Sequence, residues 1–237
     1  MRQNIRLIQK RQVANGTMAF YFEKPAELEF RAGQFCNITL INPPETDEEG
    51  NTRGFSLITA PCEEDMAVAT RLRDTAFKRV IKQLEIGTEV RFEGPYGNFT
   101  LHKAETVPAV FLIGGIGVTP VRSMIVQAIH DNTRHRIILL HANPSPSYAP
   151  FMVDFEQLAK NNQHFTFVPV ATEGAPDDWY GEQGRINEAM VKKYVPDLNL
   201  PIYYLSGPGS MVMAMRQLLV NMGINEDKIR TEEFTGY

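Results

Sequence analysis

The pattern of apolar and polar residues changes near the middle of the chain. Up to about residue 102, apolar and polar residues alternate in short runs such as residues 18–22, which is the period of half-buried β-strands. From about Val107 onward, continuous apolar runs such as residues 109–113 alternate with stretches whose apolar residues recur every three or four positions. The pattern therefore predicts an all-β part followed by an α/β part.

Six strands and one helix are predicted in the first part. Asn15-Gly16 is a strong hairpin turn, and Phe77, Val80 and Ile81 share one face of the helix. The predicted strands cover residues 5–14, 18–22, 35–41, 53–59, 66–72 and 88–93. Short strands at this spacing are typical of a small antiparallel β-barrel. Residues 42–51 are rich in acidic side chains and are expected to form a solvated loop.

The second part is predicted to be a doubly wound parallel sheet covered by helices. Its predicted strands cover residues 109–113, 136–141, 165–170 and 202–205. The predicted helices cover residues 120–132, 151–160, 186–194 and 210–222. A polar link near residues 102–106 separates the two parts, so we expect one domain at residues 1–102 and a second at residues 103–237.

Composition excludes several classes of function. A net charge of −4 gives no electrostatic footprint for nucleic acid. Cys36 and Cys62 are the only cysteines, so they cannot supply the four thiolates of an iron–sulfur cluster and are expected to be buried small side chains. The five histidines lack a metal-binding spacing, so no metal site is expected. No segment suits a membrane span or a signal peptide, and we therefore expect a cytoplasmic protein.

A glycine-rich turn joins the first predicted strand of the α/β part to its first helix. The turn contains Gly114, Gly115 and Gly117, while Thr119 is expected to cap the helix and Pro120 suits its first turn. Free backbone N–H groups and the positive end of the helix dipole would meet here, which favours a bound pyrophosphate. The alternative is a structural turn with no ligand, because Pro120 stands where the dinucleotide fingerprint has its third glycine.

A second candidate motif lies in a predicted strand of the β part. Arg53, Gly54, Phe55 and Ser56 combine a guanidinium that suits a phosphate, a flat apolar ring and a hydroxyl donor. Half-buried strands commonly contain such residues, so the order of motifs along the whole chain decides their meaning. That order is Arg53-Gly54-Phe55-Ser56, Gly94-Pro95-Tyr96-Gly97, residues 114–120, Ser206-Gly207-Pro208 and Glu232-Glu233-Phe234.

This order of motifs resembles the ferredoxin–NADP reductase family, and the resemblance covers nearly all of the chain. It implies an FAD-binding β-barrel followed by an NAD(P)-binding α/β domain. By resemblance, Arg53 would bind the flavin pyrophosphate, Phe55 would stack on the isoalloxazine ring, and Ser56 would form a hydrogen bond near flavin N5. Phe55 stands where the family usually has tyrosine.

The resemblance implies two further contacts with the flavin. Gly94 and Gly97 would form a β-turn near it. A second phosphate-binding loop would open the predicted helix, with Asp74 or Thr75 as the helix cap, and a plain capped helix is the alternative. The residues of this loop are Arg71, Arg73, Asp74, Thr75, Ala76 and Phe77.

The glycine turn is implied to bind a nicotinamide dinucleotide. Backbone N–H groups from Gly115 to Val118 would be directed at its pyrophosphate, with Thr119 beside the nicotinamide. Ser206, Gly207 and Pro208 resemble the family's C-G-P motif near the nicotinamide ring, with Ser206 in place of the cysteine. Glu232 would lie at the flavin edge, where either Phe234 or Tyr237 would cover the ring.

The implied function is an FAD-dependent NAD(P)H oxidoreductase that passes hydride from nicotinamide to flavin, and electrons to a separate acceptor such as a ferredoxin, a flavodoxin or an oxygenase component. NADH is favoured over NADPH, because residues 141–147 contain no arginine for a 2′-phosphate. One alternative is a reductase of free flavin or ferric complexes. Another is a redox-sensing subunit that binds nucleotide but catalyses little.

Overall fold

A six-stranded antiparallel sheet forms the basis of the first unit in this computed structural model, which describes residues 1–234. Its strands are β1 (Arg2–Ala14), β2 (Thr17–Phe22), β3 (Phe35–Leu40), β4 (Thr52–Ser56), β5 (Met66–Arg71) and β6 (Glu89–Tyr96). They lie in the order β4-β3-β6-β1-β2-β5, and every neighbouring pair is antiparallel. The six predicted strands are therefore confirmed, and the sheet curls into a half-barrel.

Local sequence explains how this sheet folds. Gly16 adopts a φ of +65°, which closes the turn between β1 and β2 and pairs Ala14 with Thr17. The alternating pattern of β2 turns Phe20 and Phe22 into the core, where both are fully buried. Helix α1 (Ala76–Gln83) covers the same core with the apolar face that its spacing predicted.

The first compact unit comprises Met1–Thr100 together with Thr119–Gln127, and the second comprises Leu101–Val118 with Ala128–Tyr237. Residues 119–127 belong to a helix that follows the first strand of the second unit. Within the first unit, Ser123 Oγ donates to the Thr59 carbonyl at 2.8 Å, and Arg122 forms an ion pair with Glu63 at 2.9 Å. These bonds attach the helical segment to residues 58–63 of the first unit.

The second unit is a parallel sheet with helices in the connections between its strands. The strands are β7 (Ala109–Gly114), β8 (Ile137–Asn143), β9 (Phe165–Ala171), β10 (Glu182–Gln183), β11 (Ile202–Pro208) and β12 (Ile229–Phe234). The helices are α2 (Val118–His130), α3 (Met152–Asn161), α4 (Glu188–Tyr194) and α5 (Gly209–Asn221). The four predicted strands and four predicted helices are confirmed, and the doubly wound class is correct. Strands β10 and β12 were not predicted.

The direction of winding reverses between β7 and β11. The sheet order is β10-β9-β8-β7-β11-β12, so the chain first builds outward from β7 through β8 and β9, then returns to the other side of β7. In open parallel sheets, ligands bind at the carboxyl ends of the strands where the winding reverses. Those ends carry Gly114 on β7 and Ser206 to Pro208 on β11.

Two local predictions are wrong. Helix α2 begins at Val118, directly after a 3₁₀ turn over Gly115–Gly117, so Thr119 lies inside the helix and does not cap it. The segment from Gly94 to Tyr96 is the end of β6 rather than a β-turn, because Tyr96 pairs with Phe35 across an irregularity in the ladder.

The two cysteines differ from each other. Cys36 is fully buried, as expected, and burial raises the pKa of its thiol. Cys62 is only partly buried, which corrects the expectation for it. Within residues 1–234, no helix has the length and apolar character needed to cross a membrane.

A buried hydroxyl in the second unit connects three elements. Tyr204 is fully buried, and its hydroxyl accepts from the His102 backbone N–H at 2.9 Å and from Arg230 at 3.2 Å. We expect Tyr204→Phe to lower the free energy of unfolding by about 2 kcal/mol, because the buried N–H of His102 loses its acceptor. Urea denaturation measures this change. Tyr180→Phe is the control, since Tyr180 is 63% exposed and water replaces its hydroxyl bond; equal losses in both variants would contradict the prediction.

Candidate functional site

Two glycines allow the carboxyl ends of β7 and β11 to approach each other backbone to backbone. A Cβ on Gly117 would lie 2.6 Å from Gly207 N and from Ser206 C, closer than real Cβ atoms come. Gly207 adopts a φ of +149°, a conformation that L side chains rarely adopt. The turn after β7 and the Ser206-Gly207 segment therefore form one cradle, at the point where the winding of the sheet reverses.

Part of the predicted phosphate-binding turn is used internally. The Val118 N–H donates to the carbonyls of Gly115 and Ile116, which closes the 3₁₀ turn. Val118 is therefore not a donor directed at a ligand, contrary to the expectation from the sequence. Gly115, with a φ of +52°, sets the direction of the turn.

Two buried polar atoms lie side by side next to this cradle. Ser206 on β11 pairs directly with Glu232 on β12, and paired residues of neighbouring strands point to the same face. Ser206 Oγ and Glu232 Oε2 are buried and have no hydrogen-bond partner within residues 1–234. Burial raises the pKa of the Glu232 carboxyl to about 7. A hydroxyl and a carboxyl that lack partners suit a ligand with both donor and acceptor atoms, such as a carboxamide.

His141, at the carboxyl end of β8, supports the glycine turn from the other side. Its Nε2 lies 2.9 Å from the Gly115 carbonyl, and because a carbonyl only accepts, Nε2 must carry the proton. Burial lowers the pKa of His141 to about 4, so the ring is neutral at physiological pH. Its Nδ1 is then a bare acceptor, and together with Asn143 Oδ1 it has no partner in the described part of the chain.

The first unit holds the residues that resemble a flavin-binding strand. Strand β4 carries Arg53, Gly54, Phe55 and Ser56. Phe55 is only 8% exposed, and its ring packs against Phe77 of α1 at 5.8 Å. Ser56 is also buried. The stacking role of Phe55 and the hydrogen bond from Ser56 stay predictions.

Cations gather around the start of α1. Thr75 is the helix cap and accepts from Lys78 N–H, whereas Asp74 forms an ion pair with Arg79 at 2.5 Å, which decides between the two predicted caps. The pKa of Lys78 is lowered, first by burial and then by the neighbouring charges of Arg73, Arg53 and Arg71. Four cations near one helix N-terminus fit a group with a high negative charge, such as a pyrophosphate.

The acidic loop is not a merely solvated segment, which corrects the sequence expectation. Asp47 Oδ1 lies 3.3 Å from Arg53 Nη2, and Asp47 Oδ2 accepts from the Ala76 N–H at 3.0 Å. Glu49 also pairs with Arg53, at 2.8 Å. The sequence prediction missed this contact because the loop and the helix are far apart in the chain.

The remaining predicted residues have the following places. Gly97, at a φ of +90°, follows the end of β6 and lies beside Phe35, since a Cβ there would lie 2.9 Å from that ring. Phe234 is the last residue of β12 and is partly buried. Tyr237 lies outside the described residues. Within residues 1–234, no group of three or more His, Cys, Asp or Glu side chains could hold a metal ion.

Comparison with known proteins finds similarity to oxidoreductases. Residues 111–217 match the model of the oxidoreductase NAD-binding domain. The reductase component of phenol 2-monooxygenase from a Pseudomonas species is 29% identical over 209 residues, which cover 86% of this chain and 58% of that protein. Over most of its length, the chain is therefore similar to the reductase component of a monooxygenase.

Solved structures show the same two-domain fold. The flavohem-like FAD/NAD-binding domain of nitric oxide dioxygenase from Vibrio cholerae superposes with a TM-score of 0.84 at 20% identity, covering 98% of both chains. A ferredoxin–NADP⁺ reductase from Neisseria gonorrhoeae with bound FAD and NADP has a TM-score of 0.79 at 19% identity, again over 98% of both chains. By contrast, this chain spans a little over half the length of its curated relative, the phenol 2-monooxygenase reductase component.

Three residues with a place in these sites were missed by sequence reasoning. His141, which supports the turn, and Asn143 lie in a segment that was considered only for metal ligands and for a 2′-phosphate. Asp47 was assigned to solvent. The only sequence feature that could have indicated a role for His141 is its position near the carboxyl end of a buried parallel strand.

The Glu232 carboxyl gives a testable dependence of stability on pH. Its folded pKa is about 7, against an ordinary value of 4.5, so below pH 4.5 it is protonated in both folded and unfolded protein. As the pH rises from 4.5 to 7, the unfolded chain ionises first and the folded state loses stability. We expect Glu232→Gln to raise the melting temperature relative to the unchanged protein at about pH 8, and less so at about pH 5.

The matched control is Glu233→Gln, which removes the same charge from an exposed neighbour on the same strand. Its melting temperature should follow that of the unchanged protein at both pH values. If Glu232→Gln changes the melting temperature by the same amount at both pH values, the assigned pKa is contradicted.

Proposed function

We propose that this protein is an FAD-dependent NAD(P)H oxidoreductase that transfers hydride from nicotinamide to flavin and then passes electrons to a separate acceptor. The observation that supports this most is the paired Ser206 and Glu232, whose buried polar atoms lack partners within residues 1–234 at the reversal point of an NAD-binding fold. A structural role alone would not favour two unsatisfied polar atoms beside a backbone cradle.

We infer that the nicotinamide dinucleotide is held by the second unit. The turn over Gly115–Gly117 would receive the pyrophosphate, while Ser206 and Glu232 would orient the carboxamide. A neutral His141 would keep the turn in shape without adding charge. NADH remains the proposed donor, because residues 141–147 offer no arginine to a 2′-phosphate. Residues 103–237 are the proposed limits of this domain.

We infer that the flavin is held by the first unit, with proposed limits at residues 1–102. Arg53, Arg71 and Arg73 would bind its phosphates together with the N–H groups at the start of α1, and Ser56 would donate a hydrogen bond near N5. The chemistry that a bound flavin supplies is acceptance of hydride and release of single electrons. The residues of this chain bind and orient the two cofactors and exclude water from them.

A protein acceptor is proposed because the curated relative named above is the reductase component of a monooxygenase. A ferredoxin, a flavodoxin or an oxygenase component would fill this role. The contact of Asp47 with Arg53 favours a second candidate, a reductase of free flavin or ferric complexes, since an occupied Arg53 would retain a phosphate-bearing flavin less tightly. A cytoplasmic location remains a prediction from the sequence.

An anaerobic titration tests the proposed function. We expect the purified protein, reconstituted with FAD, to show the visible absorption spectrum of a flavin. Addition of NADH should remove the flavin absorbance band at about 450 nm. Bleaching by NADPH alone would contradict the proposed donor. A protein that cannot be reconstituted with FAD would contradict the function itself.

Ser56→Ala tests the hydrogen bond near flavin N5. We expect the rate of flavin reduction to fall about tenfold, because one hydrogen bond that orients the reacting atom is lost, while the dissociation constant for NADH stays the same. Stopped-flow absorbance measures the rate. The control is Thr52→Ala, which removes an exposed hydroxyl from the same strand and should leave the rate unchanged. An unchanged rate in Ser56→Ala would remove Ser56 from the mechanism.

A further inference from the structure

The carboxylate of Asp47 lies between the two groups that would bind a flavin phosphate. Its Oδ2 accepts from the Ala76 N–H, at the start of α1, at 3.0 Å. Its Oδ1 lies 3.3 Å from Arg53 Nη2. One carboxylate therefore engages both a helix N-terminal amide and a strand arginine, which is the pair of contacts that a phosphate group makes.

The terminal nitrogens of Arg53 are fully engaged by the same loop. Nη1 donates to the carbonyls of Glu49, Gly50 and Thr52 at 2.8 to 3.0 Å, and Nη2 contacts the carboxylates of Asp47 and Glu49. A guanidinium has only four N–H bonds on these two nitrogens. A phosphate can bind them only by replacing acceptors that the loop supplies.

The surrounding charge explains why the loop supplies carboxylates. The ammonium of Lys78 is half-buried near Arg53, Arg71 and Arg73, and the pKa of Lys78 is lowered by burial and by these charges. Like charges repel one another strongly when they are partly removed from water. Asp47 and Glu49 relieve this repulsion in the free protein, and a bound phosphate would relieve it equally well.

We propose that Asp47, supported by Glu49, is an internal anion that competes with the flavin phosphates for Arg53 and for the N-terminus of α1. The inference rests on the proposed flavin site. It makes Asp47 a residue that sets both the affinity for flavin and the preference among flavins. FAD, which has two phosphates, must displace the carboxylate, whereas riboflavin, which has none, need not.

The contacts on either side of Asp47 would keep the loop on the protein surface if Asp47 left Arg53. Glu45 forms a two-pronged ion pair with Arg79 of α1, with distances of 2.9 and 2.6 Å. This contact involves neither Arg53 nor Ala76. On the other side of Asp47, Gly50 adopts a φ of +71°, and no atom lies within 4 Å of the position that a Cβ would occupy there, so the chain has space to turn. Displacement of Asp47 by a phosphate would therefore require movement only of the segment between Glu45 and Gly50.

The test compares the dissociation constants of FAD and riboflavin, measured by quenching of flavin fluorescence at fixed ionic strength. We expect Asp47→Asn to tighten the binding of FAD about fivefold, because one charged competitor is removed, and to leave the binding of riboflavin unchanged. The control is Glu48→Gln, which removes the same charge from an exposed neighbour and should change neither constant.

A second readout separates competition from a structural role. Asp47→Asn should lower the melting temperature of the flavin-free protein, since the start of α1 loses a charged acceptor, while FAD binding becomes tighter. If Asp47 only maintained the fold, the substitution would lower the melting temperature and also weaken the binding of FAD. Glu49→Gln, which removes the ion pair with Arg53 but leaves the Ala76 contact, should tighten FAD binding by a smaller factor.

The outcomes separate this inference from the proposed function. FAD binding that is unchanged or weaker in Asp47→Asn, in a protein that binds FAD, overturns the inference and leaves the flavin site in place. Equal tightening of FAD and riboflavin also overturns it, because phosphate would then not be the competing group. Failure of every variant and of the unchanged protein to bind any flavin overturns the proposed function and this inference with it.

Discussion

The second unit depends on the close approach of two backbone segments at the carboxyl ends of β7 and β11. The contact of Gly117 with Ser206 and Gly207 leaves no room for a side chain on Gly117. Beside this backbone contact, Ser206 Oγ and Glu232 Oε2 are buried with no hydrogen-bond partner in residues 1–234. Buried polar atoms without partners cost free energy, so their presence at this point favours a site that a polar ligand completes.

The two proposed anion sites are built from different groups. The glycine turn of the second unit offers backbone amides, and its neighbour His141 is neutral because burial lowers its pKa to about 4. The first unit instead gathers Arg53, Arg71, Arg73 and Lys78 near the start of α1. A site built from dipoles is stable without an anion, whereas a site built from cations carries repulsion that something must offset. In this chain Asp47 and Glu49 provide that offset.

The sequence predicted the architecture well because buried strands and amphipathic helices have distinct periods. It failed where an element lacks such a period. Strand β12 lies at the edge of the sheet and contains the charged residues Arg230, Glu232 and Glu233, so its sequence resembles a polar tail. Its pairing with β11 nevertheless places Glu232 beside Ser206. The start of α2 was placed two residues late, because a 3₁₀ turn over Gly115–Gly117 replaces the expected side-chain cap.

Contacts between distant segments could not be predicted from local pattern at all. Asp47 and Ala76 are 29 positions apart, and nothing in either segment indicates the other. His141 reaches Gly115 only because β8 pairs in parallel with β7. In both cases the register of the fold brings a side chain to a backbone group, and single-sequence reasoning has no access to register.

Tethering gives the Asp47 carboxylate an advantage over any dissolved anion. A group on a short loop does not lose the translational freedom that a dissolved anion loses on binding, so a contact worth about 1 kcal/mol is occupied most of the time. A flavin overcomes this only through contacts that the loop cannot make, such as those of its ring and of its second phosphate. The affinity for flavin is then set by the difference in binding free energy between the flavin phosphates and the Asp47 carboxylate at one cluster of cations. Residues outside β4, the strand proposed to bind the ring, would therefore tune this affinity without changing the chemistry of the ring itself.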